Sequence, residues 1–99
     1  MVKRKIEIQH NAKHQLWEVY KYIRKDSLQN AEKVRKKIIS TIKELATHPE
    51  HHPPDKYCNE NDGHFRAYEV YKYRITYYVT DDKIIVLRIR HTKMNPVNY

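Results

Sequence analysis

Cationic side chains recur in the last third of the chain, in a segment whose polar and apolar residues alternate as in a β-hairpin. The segment spans residues 71–96 and contains Lys72, Arg74, Arg88, Arg90, His91 and Lys93. Guanidinium groups suit the binding of phosphate and carboxylate oxygens, and His and Lys side chains can carry protons. Residues of these types on one sheet would bind an anion or, with a proton carrier beside them, act on a phosphate ester.

Two hairpin registers are compatible with a turn at Asp81 and Asp82. A two-residue loop pairs Thr80 with Lys83 and mixes charged and apolar residues on both faces, whereas a three-residue loop pairs Thr80 with Ile84. Because a one-residue slip moves every side chain to the opposite face, burial favours the three-residue loop. The core face would then carry Tyr73, Ile75, Tyr77, Val79, Ile85, Leu87, Ile89 and His91, and the outer face Lys72, Arg74, Thr76, Tyr78, Ile84, Val86, Arg88 and Arg90.

This outer face is the predicted binding surface. Like charges brought together on rigid strands repel one another unless an anion lies between them. We therefore predict that an anion or a target macromolecule contacts Lys72, Arg74, Tyr78, Arg88 and Arg90.

The pattern of residues in the rest of the chain indicates which elements support the hairpin. A short strand lies within residues 3–9, Asn11 can cap a first helix over residues 11–25, and Asp26 or Ser27 can cap a second helix that the prolines of residues 49–54 stop. An irregular connection over residues 47–63 leads to strands near 64–70, 73–80 and 84–91, and the tail from Thr92 is a coil or single turn. This order predicts an α+β fold in one domain, residues 1–99, with an antiparallel helical hairpin packed on an antiparallel sheet.

Composition limits the kinds of partner. The chain has 99 residues and a formal net charge of +8, and the excess lies in residues 1–48 (12 basic, 5 acidic) and 64–99 (7 basic, 3 acidic). A surplus of this size favours a nucleic acid, an acidic protein or an anionic membrane as partner. The single Cys58 cannot form an internal disulfide, and no apolar run resembles a signal peptide or a membrane span, so we expect a cytoplasmic protein that does not bind membranes.

The connection after the second helix also contains residues of types that bind metals. His48, His51, His52 and Cys58 are potential zinc ligands, but their spacing fits no standard zinc finger. We therefore predict a solvated loop and neither a metal nor another cofactor.

The order of elements, together with the segment "YRITYYVTDDKIIVLRIRHTKMNP" from Tyr73 to Pro96, resembles the RelE/ParE toxin superfamily of bacterial toxin-antitoxin modules. The resemblance covers nearly the whole chain, and the spacing of "YRI.Y.V" and "I.VLRI.H" is similar to the ParE-like, plasmid-stabilisation branch. It implies a toxin neutralised by a small antitoxin that wraps its surface. ParE-like members inhibit DNA gyrase, whereas RelE-like members cleave mRNA on the ribosome.

For the nuclease alternative, the resemblance implies a phosphate clamp of Arg74 and Arg90, with His91, Lys93 and Tyr78 as the available proton carriers. The chain departs from the RelE-like pattern at its end, where Thr92, Lys93, Met94 and Asn95 stand in place of a terminal Tyr or His acid or base. The leading hypothesis is therefore a ParE-like toxin that binds a protein target such as DNA gyrase. The alternatives are a ribosome-dependent mRNA endoribonuclease and a non-toxic basic nucleic-acid-binding domain.

The predicted antitoxin is a small acidic protein that uses both apolar and charged contacts. Trp17, with Tyr20 or Tyr22, reaches beyond the apolar stripe of the first helix, and the assumed register leaves Ile84 and Val86 on the outer face. We predict that the antitoxin anchors on Trp17, Tyr20, Ile84 and Val86, since buried aromatic and aliphatic groups dominate protein interfaces. The assembly would be a hetero-oligomer with the antitoxin or a homodimer.

Overall fold

The computed structural model describes residues 3–59 and 61–93. The elements follow one another as β1 (Lys5–Ile8), α1 (His10–Arg24), α2 (Leu28–Glu44), β2 (Phe65–Val70), β3 (Tyr73–Val79) and β4 (Lys83–His91). The predicted α+β fold, with a first strand, a helical hairpin and a three-stranded meander, is confirmed. The C-terminal tail was predicted to be a coil or turn from Thr92. Its residues from Met94 onward lie outside the part of the chain that the structure describes.

Each helix follows a residue with extended backbone, Gln9 before α1 and Ser27 before α2. Of the two predicted caps, Asp26 and Ser27, it is Ser27 that caps α2, because its hydroxyl accepts a hydrogen bond from the Asn30 amide at 3.1 Å. The predicted Asn11 cap of α1 is wrong. The strand runs directly into the helix at Gln9, whose extended backbone donates a hydrogen bond to the Val86 carbonyl at 3.0 Å, so that Asn11 lies inside the first helical turn.

The sheet has four strands in the order β1-β4-β3-β2. Strands β2, β3 and β4 pair antiparallel as in the predicted meander, whereas β1 pairs with β4 in parallel, so the sheet is mixed and not antiparallel throughout. The parallel pair is possible because the helical hairpin supplies the long crossover that parallel strands require. Since β1 reaches only as far as Val86 on β4, none of the described strands lies beside the last residues of β4 on that edge.

The β3–β4 hairpin contains both registers that the sequence allowed. Near the turn, Val79 lies opposite Ile84 and Tyr77 opposite Val86, as a two-residue loop requires. A register shift after Thr76 leaves Leu87 unpaired, and beyond it Ile75 faces Ile89 as the three-residue loop predicted. The extra residue is a β-bulge, which moves the alternation of β4 by one position.

The bulge places the apolar residues of β4 differently from the prediction. Ile84 and Val86 were expected on the outer face, and this is wrong, because both side chains are fully buried on the core face. Ile85, opposite Tyr78, takes the outer face instead and is half-buried. The bulge lets Ile84 and Val86 near the turn and Ile89 beyond it share the core face.

The core lies between the helical hairpin and one face of the sheet. Ala12 of α1 and Ile38 and Ile42 of α2 pack against the apolar residues of the strands, among which Ile75 and Tyr77 are fully buried. The Tyr77 hydroxyl donates a hydrogen bond to the Pro49 carbonyl at 2.6 Å, which fixes the chain where it leaves α2. No helix in the described ranges is long and apolar enough to cross a membrane.

Candidate functional site

The sheet face turned away from the helices, here called the outer face, consists of three rows of side chains across β2, β3 and β4. The first row is aromatic and apolar and joins Phe65, Tyr78 and Ile85. The second row contains Ala67, Thr76 and Arg88, and the third contains Glu69, Arg74 and Arg90. The strands thus bring Arg74, Tyr78, Arg88 and Arg90 onto one face, as the sequence predicted, although Ile85 replaces Ile84 and Val86 there.

Arg74 is held by a carboxylate that the sequence did not indicate. Its Nη2 atom lies 2.7 Å from Oδ1 of Asp55, whose side chain is 1% exposed. The Tyr57 ring lies 4.9 Å from the guanidinium carbon, and Glu69 lies 3.7 Å from Nη1. The guanidinium therefore already has an anionic partner and an aromatic one within the protein.

Backbone pairing holds Asp55 in this position. Pro54 forms an isolated antiparallel bridge with Arg66, and the Asp55 amide donates to the Phe65 carbonyl at 2.7 Å, so this part of the connection extends the sheet beside β2. The Asn61 side-chain amide donates to the same carbonyl at 2.7 Å and to the Asp55 carbonyl at 3.2 Å. The connection is irregular, as predicted, apart from this isolated bridge at Pro54.

Arg90, His91 and Lys93 line a second feature, a cavity of about 720 Å³ between α1 and the unpaired end of β4, here called the α1–β4 groove. Val19 and Tyr22 contribute to the opposite wall. The His91 ring contacts Tyr73 edge to face at 5.2 Å between ring centroids, and its Nδ1 atom accepts a hydrogen bond from the Lys93 amide.

The open edge of β4 in this groove is closed in part by a side chain. The Ile89 amide has no strand partner and donates to Oε1 of Gln15 on α1 at 2.7 Å. Burial raises the pKa of the Tyr73 hydroxyl, and the nearby Tyr22 adds to the effect. The lining residues make the groove apolar inside and cationic at its rim. The raised pKa makes the Tyr73 hydroxyl a poor proton donor or acceptor near neutral pH.

Trp17 and Tyr20 form a surface cluster on α1. Their rings stack at 5.7 Å, Trp17 is 49% exposed, and the guanidinium of Arg24 lies within 6 Å of both rings. The Tyr20 hydroxyl donates to Glu32 of α2 at 2.8 Å, and this hydrogen bond raises the pKa of the hydroxyl. Tyr20 therefore helps to join the two helices, while Trp17 remains available to a partner.

The histidine-rich connection forms packing contacts around His52. Its ring stacks on Tyr68 with centroids 4.1 Å apart, and burial lowers its pKa while raising that of Tyr68 to about 12. Burial also raises the pKa of the Cys58 thiol. Within the described part of the chain, no group of three or more His, Cys, Asp or Glu side chains is arranged to hold a metal ion.

Two residues of these sites were missed by the sequence-based prediction. Asp55 acts on Arg74 across 19 positions, and Gln15 acts on Ile89 across 74. Neither pairing follows a helical or strand period, so only the tertiary structure brings the partners together. The acidic character of residues 49–63 was the one signal that this connection complements a cationic surface.

The fold and the sites define a small basic α+β protein with a helical hairpin on a four-stranded sheet. Its residues 6–96 match the family described as ParE toxin of type II toxin-antitoxin system, parDE, and the chain belongs to that family. A solved structure described as the chromosomal ParDE TA system from P. aeruginosa is similar in fold, with a TM-score of 0.73 at 18% identity. That alignment covers 94% of this chain and 100% of the other. The comparison with curated proteins gave no match.

Proposed function

We propose that this toxin arrests growth by binding a protein target, DNA gyrase, and not by cleaving RNA, and that a small acidic antitoxin neutralises it. The observation that carries this choice is the pairing of Arg74 with the buried carboxylate of Asp55. Arg74 is one half of the phosphate clamp that a RelE-like nuclease would need. Here that guanidinium serves the protein's own structure.

The proton carriers of a nuclease are likewise not gathered around a phosphate site. Metal-free RNA cleavage needs a base for the 2′-OH, cations at the phosphate and an acid for the leaving oxygen, all in contact with one substrate. Arg90 lies opposite Arg74 in the third row of the outer face, but the Arg74 guanidinium is held by Asp55 and Tyr57, and the proton carriers His91 and Lys93 border the α1–β4 groove. His91 also packs against Tyr73. This separation supports a binding function.

The outer face has the composition of a protein-binding surface. Tyr78 packs against Phe65 at 4.7 Å between centroids, Ile85 lies beside it, and Arg88 is in the neighbouring row. Interfaces draw most of their binding energy from aromatic and arginine side chains surrounded by smaller contacts. We assign target binding to this face, with Tyr78 and Arg88 as its main contacts and Lys72 and Arg90 at its margin.

The α1–β4 groove suits the antitoxin. Its walls offer Val19 and Tyr22, the unpaired edge of β4 can accept an added strand, and Arg90 and Lys93 would attract carboxylates at the rim. Trp17 and Tyr20 are close by on the same helix and remain candidate contacts. Ile84 and Val86, predicted from sequence as anchors, are core residues and are not part of this proposal.

Induction of the protein alone in bacterial cells tests the toxin function and its mechanism together. We expect growth arrest, transcripts whose 5′ ends are unchanged, and plasmid DNA that loses negative supercoiling. Arg88→Ala should relieve the arrest, while Lys3→Ala, which removes an exposed cation just before β1, should not. Ribosome-dependent cuts that disappear in Arg74→Ala, with supercoiling unaffected, would replace this mechanism with the nuclease. Normal growth at good expression would count against toxicity itself.

Titration against the antitoxin tests the groove. Tyr22→Ala removes a ring that is 67% exposed and should weaken antitoxin binding without affecting folding. Leu28→Ala is the matched control, because Leu28 is also exposed but does not line the groove. Equal affinities for the two variants would place the antitoxin elsewhere.

A further inference from the structure

One face of α2 carries a stripe of cations and polar groups, here called the α2 lysine stripe. Its members are Asn30, Lys33, Lys36, Lys37, Ser40 and Lys43, and all of them are exposed. At 3.6 residues per turn they lie within an arc of about 140°. The opposite arc holds Ala31, Ile38 and Ile42, which are buried, the two isoleucines in the core with the strand residues, so the stripe faces away from the core.

Within the described residues no ion pair joins a lysine of the stripe to a carboxylate, although Glu32 and Glu44 lie on the same helix. The carboxylates that form ion pairs there are Glu18, Asp55, Asp62 and Glu69, and none of them pairs with a lysine of α2. Glu44 falls within the same arc at the C-terminal end of α2, next to Lys43, and lines a small cavity with the histidines of the next segment. Four unpaired charges on one face repel one another, and a polyanion would relieve that repulsion.

We propose that the α2 lysine stripe binds the phosphate backbone of duplex DNA. The stripe contains no aromatic or large aliphatic residue, and protein interfaces depend on such anchors. It also contains no ring on which bases of a single strand would stack. Lysine, serine and asparagine side chains are, by contrast, ordinary donors to the phosphates of a duplex.

The dimensions of the stripe favour B-form DNA over an RNA duplex. From Lys33 to Lys43 the helix rises about 15 Å, and lysine side chains extend that reach at each end. The major groove of B-DNA is about 12 Å wide, so a helix lying across it places lysines near the phosphates of both strands. The major groove of A-form RNA is deep and narrow and offers no such seat. This inference does not depend on the identity of the toxin's target.

The test measures the anisotropy of a labelled 20-base-pair DNA duplex with the full chain at several salt concentrations. Four lysine contacts predict a slope of log K against log salt that is about 3.6 units steeper than without them. The variant with Lys33, Lys36, Lys37 and Lys43 all changed to Gln should lose that part of the slope and bind at least about tenfold more weakly at low salt. Circular dichroism verifies that this variant is folded.

The matched control removes the same charge elsewhere, by changing the exposed Lys3, Lys5, Lys13 and Lys25 to Gln. We expect the affinity of this control for DNA to be within about threefold of that of the unmodified chain. Equal losses in both variants would mean that net charge alone attracts DNA, and would overturn the assignment to α2. Tighter binding of duplex RNA or single-stranded DNA, or a stripe variant that loses only antitoxin affinity, would overturn it as well. Growth arrest and gyrase inhibition are scored separately, so failure of the stripe leaves the proposed function to its own test.

Discussion

Replacing Asp55 by Ala removes the carboxylate that holds the Arg74 guanidinium on the outer face. The Asp55 side chain is 1% exposed and accepts hydrogen bonds from Arg74 at 2.7 Å and from the Tyr57 amide at 3.1 Å. The substitution leaves the Arg74 guanidinium beside an apolar methyl group. Glu69 lies 3.7 Å from the other terminal nitrogen, but its side chain is 56% exposed and weakly placed to compensate.

The expected loss of stability follows from the burial of the pair. Removing one partner of a fully buried pair costs about 3 to 5 kcal/mol, whereas an exposed pair contributes about 0 to 1 kcal/mol. Arg74 is 21% exposed and can turn partly toward water, so the lower part of the buried range applies. We predict that Asp55→Ala lowers the free energy of unfolding by about 3 kcal/mol.

Urea denaturation followed by circular dichroism measures this loss, in a cycle with Arg74→Ala and the double variant. The double variant should be no less stable than Asp55→Ala alone, because it removes the charge that the single variant leaves unpaired. A loss below about 0.5 kcal/mol for Asp55→Ala, or strictly additive losses, would show that the pair behaves as a surface contact and that Arg74 is available to an external anion.

Two further predictions concern the core and the connection. Val86→Asp should lower the free energy of unfolding by about 4 kcal/mol or more, since it places a carboxylate at a fully buried position. Ile85→Asp, on the outer face, should lower it much less. Equal losses in urea titrations of the two variants would contradict the bulged register. The lowered pKa of His52 means that the unfolded chain binds its proton more readily, so stability is complete above the ordinary pKa of 6.5 and is lost as pH falls through the folded-state pKa. His52→Phe keeps the stacking on Tyr68 and should therefore lose less stability than the unmodified chain between pH 7 and pH 5; parallel curves would remove His52 from the effect.

The elements could be predicted from sequence because each has its own period. Apolar residues at intervals of three or four mark both helices, and the alternation of β3 marks a strand of nearly the observed length. The N-cap at Ser27 is a local hydrogen bond and could be foreseen for the same reason. The parallel pairing of β1 with β4 could not, because a short alternating strand has no feature that selects its neighbour.

The register of the β3–β4 hairpin could be predicted from sequence only in part. Each of the two considered registers is present in half of the hairpin, and Leu87 joins them. A strand with one extra residue satisfies burial on both sides of the bulge, but neither half of the sequence indicates where that residue lies. The error moved Ile84 and Val86 to the wrong face, and with them half of the predicted antitoxin contacts.

The measurement that tests the proposed mechanism most directly is the supercoiling of relaxed plasmid by purified DNA gyrase in the presence of the purified toxin. We predict that supercoiling is inhibited as toxin is added, that Arg88→Ala inhibits less than the unmodified chain, and that an equimolar amount of antitoxin restores the reaction. Full supercoiling at a large excess of folded toxin, with mRNA cut on purified ribosomes by the same preparation, would contradict it.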